Sequence, residues 1–194
     1  MTPTPSPLPP LSLDARRSVP ARQLGEPGPD DAALERLLHA AVRAPDHGKR
    51  VPWRLLVLQG EAKLRFGERI AALAVQKNPD LAESKRLKDQ QRYRTAPTVI
   101  VVVARIHADD TIPEQEQLLS AGCVAYNLLL GAQALGFGAQ WLTGWAAYDR
   151  DAAGVLGLAG HERVIGFVHI GTPQLQAPER ERPALADVVG TWTP

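Results

Sequence analysis

The segment TVIVVVA, residues 98–104, constrains the fold more than any other part of the chain. It is apolar almost throughout and rich in β-branched residues, which favour extended structure. A strand without a polar side must be covered on both of its faces. We therefore predict a central strand here, in a sheet that carries helices on both faces.

Three further segments have the apolar, β-rich character of buried strands. They are residues 53–58, 138–142 and 164–170, and residues 184–189 form a possible short final element. Helical patterns lie between these segments. Four or five strands interspersed with helices indicate a mixed α and β domain.

The first helix is predicted to begin after Asp30 or Asp31, either of which can cap it, and to end before Pro45. Its apolar stripe recurs at helical spacing and consists of Ala33, Leu34, Leu37, Leu38, Ala41 and Val42. A second helix is predicted around Phe66 and Ile70. Residues 79–94 are helical in propensity but polar on nearly every side, which is typical of a weakly packed surface segment.

Residues 120–136 form a predicted helix that is apolar all round. Such a helix must be enclosed, either by its own domain or by a second subunit. Gly136 suits the left-handed residue that follows a helix end. The chain has no Lys or Arg between Arg105 and Arg150, so this stretch is a candidate for the centre of a core or an interface.

The totals exclude several classes of protein. A net charge of +1 gives no case for nucleic acid or an acidic membrane surface, and no apolar run reaches the roughly 18 residues of a membrane span. The single cysteine, Cys123, excludes an internal disulfide and fits a reducing cytoplasm. Residues 1–10 contain five prolines and are expected to form an extended or disordered tail, without the pattern of a signal peptide, before one domain of residues 11–194.

Motifs for metals and nucleotides are missing. The five histidines have no metal-binding spacing, and the chain contains no P-loop, no GxGxxG and no GxSxG sequence. No catalytic side chain is assigned. Two basic clusters remain as candidate phosphate sites, since Arg binds phosphate oxygens bidentately and Ser adds a hydrogen bond. They are Arg16–Arg17–Ser18 and the pair Arg180 and Arg182, although each cluster could equally be a solvated surface group.

The loop RAPDHGKRVPW places a histidine between a helix and a core strand. His47 and its neighbours could form a solvated turn, a metal or catalytic site, or a clamp on a ligand. The residues of the loop alone do not distinguish these three alternatives. A resemblance to a known family favours the clamp on a ligand.

Four segments occur in a recognisable order: RRSVPARQL, RAPDHGKRVPWRLLVL, SAGCVAYNLLLGAQALGFGAQWLTG and VIGFVHIGTPQ. Together they resemble the nitroreductase family of FMN-dependent oxidoreductases, and in particular a short single-domain branch whose loop reads Pro-Asp-His. The resemblance covers residues 11–189. It implies an α+β, three-layer α-β-α fold with a mixed, mainly antiparallel sheet, in an interlocked homodimer with FMN at the interface.

The resemblance also implies an activity. NAD(P)H would reduce the FMN, which would then reduce a small-molecule electron acceptor such as a nitroaromatic or a quinone in a ping-pong cycle. Two alternatives stay open: a dehalogenase or flavin-fragmenting enzyme on the same fold, and a flavin-binding protein that stores or senses FMN without turnover.

The matching positions imply roles for individual residues. Arg16, Arg17 and Ser18 would hold the FMN phosphate and reach the pyrimidine side of the ring, and Arg180 and Arg182 would assist at the phosphate. Other positions that match FMN contacts lie in the loop and after the second helix pattern, with Arg43 and His47 expected to come from the partner subunit: Arg43, His47, Lys49, Trp141, Leu142, Thr143 and Gly144.

Two further implications concern the ring and the reductant. In the loop, Lys49 stands where the family usually has Asn, and Val51 stands where it usually has Gln. Pro20 occupies a position where a basic residue is frequent in the family. These differences leave open which cation faces N1 and O2 of the flavin. The last turn of the apolar helix is a weaker candidate for contacts to the nicotinamide nucleotide; it comprises Gly131, Ala132, Gln133, Ala134, Leu135 and Gly136.

Overall fold

The computed structural model describes residues 8–11, 13–108 and 111–194. The expected N-terminal tail therefore lies mostly outside the described residues. Its last part, residues 8–10, has no regular secondary structure.

The domain contains five strands and six α-helices within the described residues. The strands are β1 Leu24–Gly25, β2 Trp53–Gln59, β3 Thr98–Arg105, β4 Gly138–Leu142 and β5 Glu162–Pro173. The helices are α1 Asp31–Ala41, α2 Gly60–Lys77, α3 Glu83–Gln91, α4 Glu114–Ala134, α5 Arg150–Val155 and α6 Leu185–Val188.

The long strand β5 organises the sheet. It pairs with β3 and with β4, β3 pairs with β2, and β1 pairs with the end of β5. Every one of these pairings is antiparallel, so the mixed sheet that was expected has no parallel pair within the described part of the chain. Residues 98–104 are fully buried, which confirms β3 as an inner strand covered on both faces.

Helices cover both faces of the sheet and complete three layers. Because side chains alternate along a strand, Ile100 and Val102 pack with α1 and α4, whereas Val99, Val101 and Val103 pack with Phe66 and Ile70 of α2. The predicted α+β fold with helices on both faces is confirmed.

Most helix boundaries follow from local sequence. Asp30 caps α1 by accepting a hydrogen bond from the Ala33 N–H at 2.8 Å, and Gly136 ends the α4 region at φ +84°. Other boundaries differ from expectation. The apolar helix begins earlier, at Glu114, and residues 79–94 are α-helical only in α3.

One side of α4 remains open to solvent in the single chain. Leu119 is 61% exposed and Tyr126 41% exposed, with Cys123 partly exposed between them. Spacings of three and four residues place these side chains on one face of the helix. The chain by itself therefore does not enclose its apolar helix. None of the helices within the described residues has the length and hydropathy needed to cross a bilayer.

Candidate functional site

A cleft of about 760 Å³, here called the α3–β4 cleft, lies between α3, β4 and the segment of residues 20–22. Four basic side chains line it and no Asp or Glu does: they are Arg22, Lys88, Arg92 and Arg180. Within the described residues none of these four side chains takes part in an ion pair. An unneutralised cluster of this kind favours an anionic ligand.

Strand β4 forms one wall of the cleft through alternate residues. Gln140 and Leu142 line the cleft, and Gln140 Oε1 accepts a hydrogen bond from the Ala21 N–H at 2.6 Å. The side chain of Trp141 packs on the opposite face of the sheet and donates from Nε1 to the Ile165 carbonyl at 3.2 Å. The predicted stretch is therefore divided: Leu142 lies in the cleft, whereas the Trp141 ring lies in the core beside α4.

The turn after β4 depends on Gly144. Its backbone has φ +69° and ψ −179°, a conformation that only glycine adopts readily. A Cβ atom at this position would lie 3.2 Å from Arg92 Nη1. The absence of a side chain thus lets the Arg92 guanidinium rest against this turn, next to Thr143.

The two predicted phosphate clusters are not uniform. Arg17 forms an ion pair with Glu179 and donates to the Asp14 carbonyl at 2.5 Å, and Arg182 lies 3.6 Å from the same glutamate. Arg16 instead donates to Ser18 Oγ at 3.3 Å. Glu179 thus neutralises one arginine of each cluster, and Arg16 and Arg180 keep their charge free of a carboxylate within the described chain.

The last turn of α4 has contacts that stabilise the fold. Gly131 and Ala132 are buried, and a Cβ atom on Gly131 would lie 2.6 Å from Leu37 Cδ1. Gln133 accepts from the Arg17 N–H at 3.2 Å and donates to the Ala15 carbonyl at 2.7 Å. This segment therefore anchors the N-terminal arginine cluster to α4; its role toward a nicotinamide nucleotide stays a prediction.

The loop that carries His47 is held in a strained conformation. The Asp46 carboxylate accepts hydrogen bonds from the N–H groups of Arg50 at 3.0 Å and Val51 at 2.8 Å. Lys49 and Val51 have φ of 54° and 49°, which is rare for residues other than glycine and especially for a β-branched one. Strain of this kind persists where the surrounding structure enforces it and is frequent at functional sites.

His47 and the arginine cluster lie at opposite ends of α4. His47 Nδ1 is 2.7 Å from Glu116 Oε2 in the first turn, whereas Arg17 contacts Gln133 in the last turn. These two positions on α4 are separated by about 25 Å along the helix axis. Lys49, close to His47 in the loop, and Arg43, which precedes the loop, are also exposed. A ligand that touches both groups would need the His47 loop from a second chain.

A buried histidine lies below the α3–β4 cleft. His169 on β5 is 0% exposed, is paired in register with Gln140 and stacks on the Tyr93 ring at 5.8 Å. Neither ring nitrogen has a hydrogen-bond partner within the described residues. Burial lowers the pKa of His169 to about 3, with the nearby Arg92 and Lys63 acting in the same direction. The ring is therefore neutral under ordinary conditions.

Several residues of the cleft were not singled out from sequence. Lys88, Arg92 and Gln140 belong to this group. The one available signal was the spacing within the polar segment: Ser84, Lys88 and Gln91 recur on one face of α3, and this face lines the cleft. Arg22 is the first basic residue after Pro20, two positions further along the chain.

The fold belongs to a known class of protein. The chain has the three-layer architecture of a solved Bacillus cereus structure described as a nitroreductase-like family protein, with a TM-score of 0.76, 24% identity and 93% coverage of both chains. A Desulfovibrio desulfuricans structure, described as a "putative nitroreductase in complex with fmn", superimposes with a TM-score of 0.73 at 21% identity, over 94% of this chain and 95% of that one. At these identities the similarity establishes the fold alone.

Sequence comparison establishes the family. The model of the "Nitroreductase family" matches residues 13–172, and the chain therefore belongs to this family. A Haemophilus influenzae relative, named "Putative NAD(P)H nitroreductase", is 40% identical over 163 residues, which cover 82% of this chain and 86% of the relative. The Escherichia coli K12 relative YdjA, which has the same descriptive name, is 34% identical over 162 residues, with 84% and 86% coverage.

Proposed function

We propose that the protein is an FMN-dependent oxidoreductase that uses NAD(P)H to reduce nitroaromatics, quinones or similar acceptors in a ping-pong cycle. The observation that carries this proposal is the α3–β4 cleft, in which four cations and no carboxylate surround the end of β4. Family membership and the names of the relatives supply the class of reaction.

The residues of the cleft fit FMN. The volume of the cleft lies within the roughly 300–1,000 Å³ that is usual for ligand sites. Arg180 offers a charge for a phosphate, while Leu87 and Leu142 offer apolar contacts and Gln140 a polar one for a planar ring. When bound, FMN would supply the two-electron transfer between reductant and acceptor.

The protein's own groups would bind and orient the cofactor. Arg16 and Ser18, with Arg180, are the proposed phosphate ligands, because each keeps its donors free of a carboxylate within the described chain. Arg22 and Arg92 are the proposed cations toward the pyrimidine side of the ring, where positive charge stabilises negative charge that develops there. The Gly144 N–H is the proposed donor near the ring's central nitrogen.

A homodimer follows from the same proposal. The open stripe on α4, defined by Leu119, Cys123 and Tyr126, needs an apolar partner, and Trp192 in the C-terminal segment is 83% exposed. A second copy that packs on α4 would bring its His47 loop toward this chain's cleft. The free thiol of Cys123 fits a reducing compartment, and we place the enzyme in the cytoplasm.

Anaerobic addition of NADH or NADPH to the purified yellow protein tests the proposal. An oxidoreductase loses its flavin absorbance as one NAD(P)H reduces each FMN, and an added quinone or nitroaromatic restores it. A flavin storage protein would keep its colour for many minutes under the same conditions, and that result would contradict the proposal.

A further inference from the structure

Helix α3 separates two clefts. One face of it lines the α3–β4 cleft, and the adjacent face lines a second cleft of about 370 Å³, here called the α2–α3 cleft. Lys88 and Arg92 line both. The α2–α3 cleft therefore borders, at these two side chains, the cleft proposed for the flavin.

The α2–α3 cleft carries an excess of positive charge. Lys85, Lys88 and Arg92 line it, and none of the three is ion-paired within the part of the chain that the structure describes. Lys77 also lines it, but its ammonium is held by Asp149 at 3.0 Å.

Among the described residues that line this cleft, Asp89 is the one carboxylate. Asp89 Oδ2 accepts a hydrogen bond from Trp145 Nε1 at 2.9 Å, so this contact orients the indole at the cleft wall. Three cations without an ion pair therefore outnumber the Asp89 carboxylate, whose charge the neutral indole N–H does not cancel, and the Trp145 side chain lines the same cleft. Such a combination suits a phosphorylated purine nucleoside, because the phosphate pairs with the cations and the base stacks on the ring.

We propose that the α2–α3 cleft binds the 2′-phosphate and adenosine of NADPH, and that it makes the enzyme select NADPH over NADH; this inference rests on the proposed function. Lys85 and Lys88 are three residues apart on one helix, which puts their Cβ atoms about 5–6 Å apart. A phosphate monoester carries about −1.5 to −2 charges at neutral pH and can engage both ammonium groups. NADH has no phosphate monoester, so it gains little from this pair.

The test measures binding directly. Adenosine 2′,5′-bisphosphate and 5′-AMP are titrated calorimetrically into the FMN-loaded protein. Lys85→Ala is the test variant because Lys85 lines only the α2–α3 cleft. Arg86→Ala is the matched control, since Arg86 lies next in the chain, pairs with Glu83 at 3.5 Å and lines neither cleft.

We expect Lys85→Ala to weaken bisphosphate binding about tenfold and AMP binding less than twofold, with Arg86→Ala unchanged. In steady-state assays Lys85→Ala should raise the KM for NADPH, leave kcat near its original value and leave the kinetics with NADH unchanged. Equal affinity of the unmodified protein for the bisphosphate and AMP, or an equal effect of the two substitutions, would overturn the inference. The absorbance of bound FMN in the same samples distinguishes this inference from the proposed function. A yellow protein without nucleotide selectivity overturns this inference alone. A protein that binds no FMN overturns the proposed function.

Discussion

Arg16 and Arg17 are neighbours in sequence but differ in their contacts. Arg17 is neutralised by Glu179, whereas Arg16 bonds only to Ser18 among the described side chains. The sequence could identify the pair as a candidate phosphate site. It could not rank the two residues, because the glutamate that distinguishes them lies near the other end of the chain and reaches Arg17 only in the folded protein.

This difference leads to a prediction about FMN affinity. If Arg16 binds the phosphate, Arg16→Ala removes a charge-assisted contact worth about 1.5–3 kcal/mol and weakens FMN about ten- to a hundredfold. Riboflavin, which has no phosphate, should lose much less, and Arg17→Ala should have a smaller effect on FMN. Fluorescence titrations with both flavins measure this. An unchanged FMN-to-riboflavin ratio in Arg16→Ala would instead make Arg180 the main phosphate ligand.

His169 makes stability depend on pH. Because burial lowers its pKa to about 3, the folded protein leaves it neutral while the unfolded chain, near the ordinary value of about 6.5, takes up a proton. The unfolded state therefore binds more protons between these two pH values, and the free energy of unfolding falls as the pH is lowered from 6.5, by at most about 1.4 kcal/mol per pH unit.

His169→Phe keeps a ring beside Tyr93 and removes this titration. Urea unfolding at pH 6.5 and pH 5 should show a smaller loss of stability in the variant than in the original protein. Glu162 does not interfere: the hydrogen bond from Arg54 lowers its pKa to about 2, so its contribution is lost only as the pH falls below about 4.5. The same pH slope in both proteins would show that His169 is protonated in the folded state.

At the scale of elements, the turn between β4 and α5 is constrained by the backbone conformation of Gly144. Gly144→Ala forces an L-residue into a glycine conformation, at a cost of about 1–3 kcal/mol, and pushes its Cβ toward Arg92. We expect lower thermal stability and FMN binding weakened by about tenfold or more. Gly154→Ala in α5 is the control, because its Cβ meets only open space and the substitution favours the helix. Thermal unfolding and FMN titration check both variants, and wild-type FMN affinity in Gly144→Ala would remove this turn from the site.

Helices and strands could be predicted from the sequence where their burial requires an apolar pattern of residues. The fold covers strand β3 completely and one side of helix α4, so their apolar patterns identify them without a structure. Helix α3 is different. The significance of its polar residues depends on the two clefts that they line. The positions of those clefts depend in turn on how α3 packs against α2 and β4. The position of Lys88 and Arg92 beside both clefts was therefore not accessible from local sequence.

At the scale of the whole molecule, we expect a homodimer. Leu119 and Tyr126 leave an apolar stripe exposed on a helix that also carries buried core residues. Analytical ultracentrifugation at micromolar concentration should give twice the chain mass of 21.0 kDa. Leu119→Lys, which alters a side chain that is 61% exposed in the single chain, should favour dissociation without unfolding the domain. A monomeric unmodified protein would contradict this assignment.

The chromophore of the purified protein tests the central claim most directly. The protein should be yellow, and acid denaturation should release FMN, identified by chromatography against FMN, FAD and riboflavin standards, in a ratio of about one per chain. This result is expected because the α3–β4 cleft has four basic side chains, no carboxylate and an apolar wall. A colourless protein that takes up no added FMN would contradict the account.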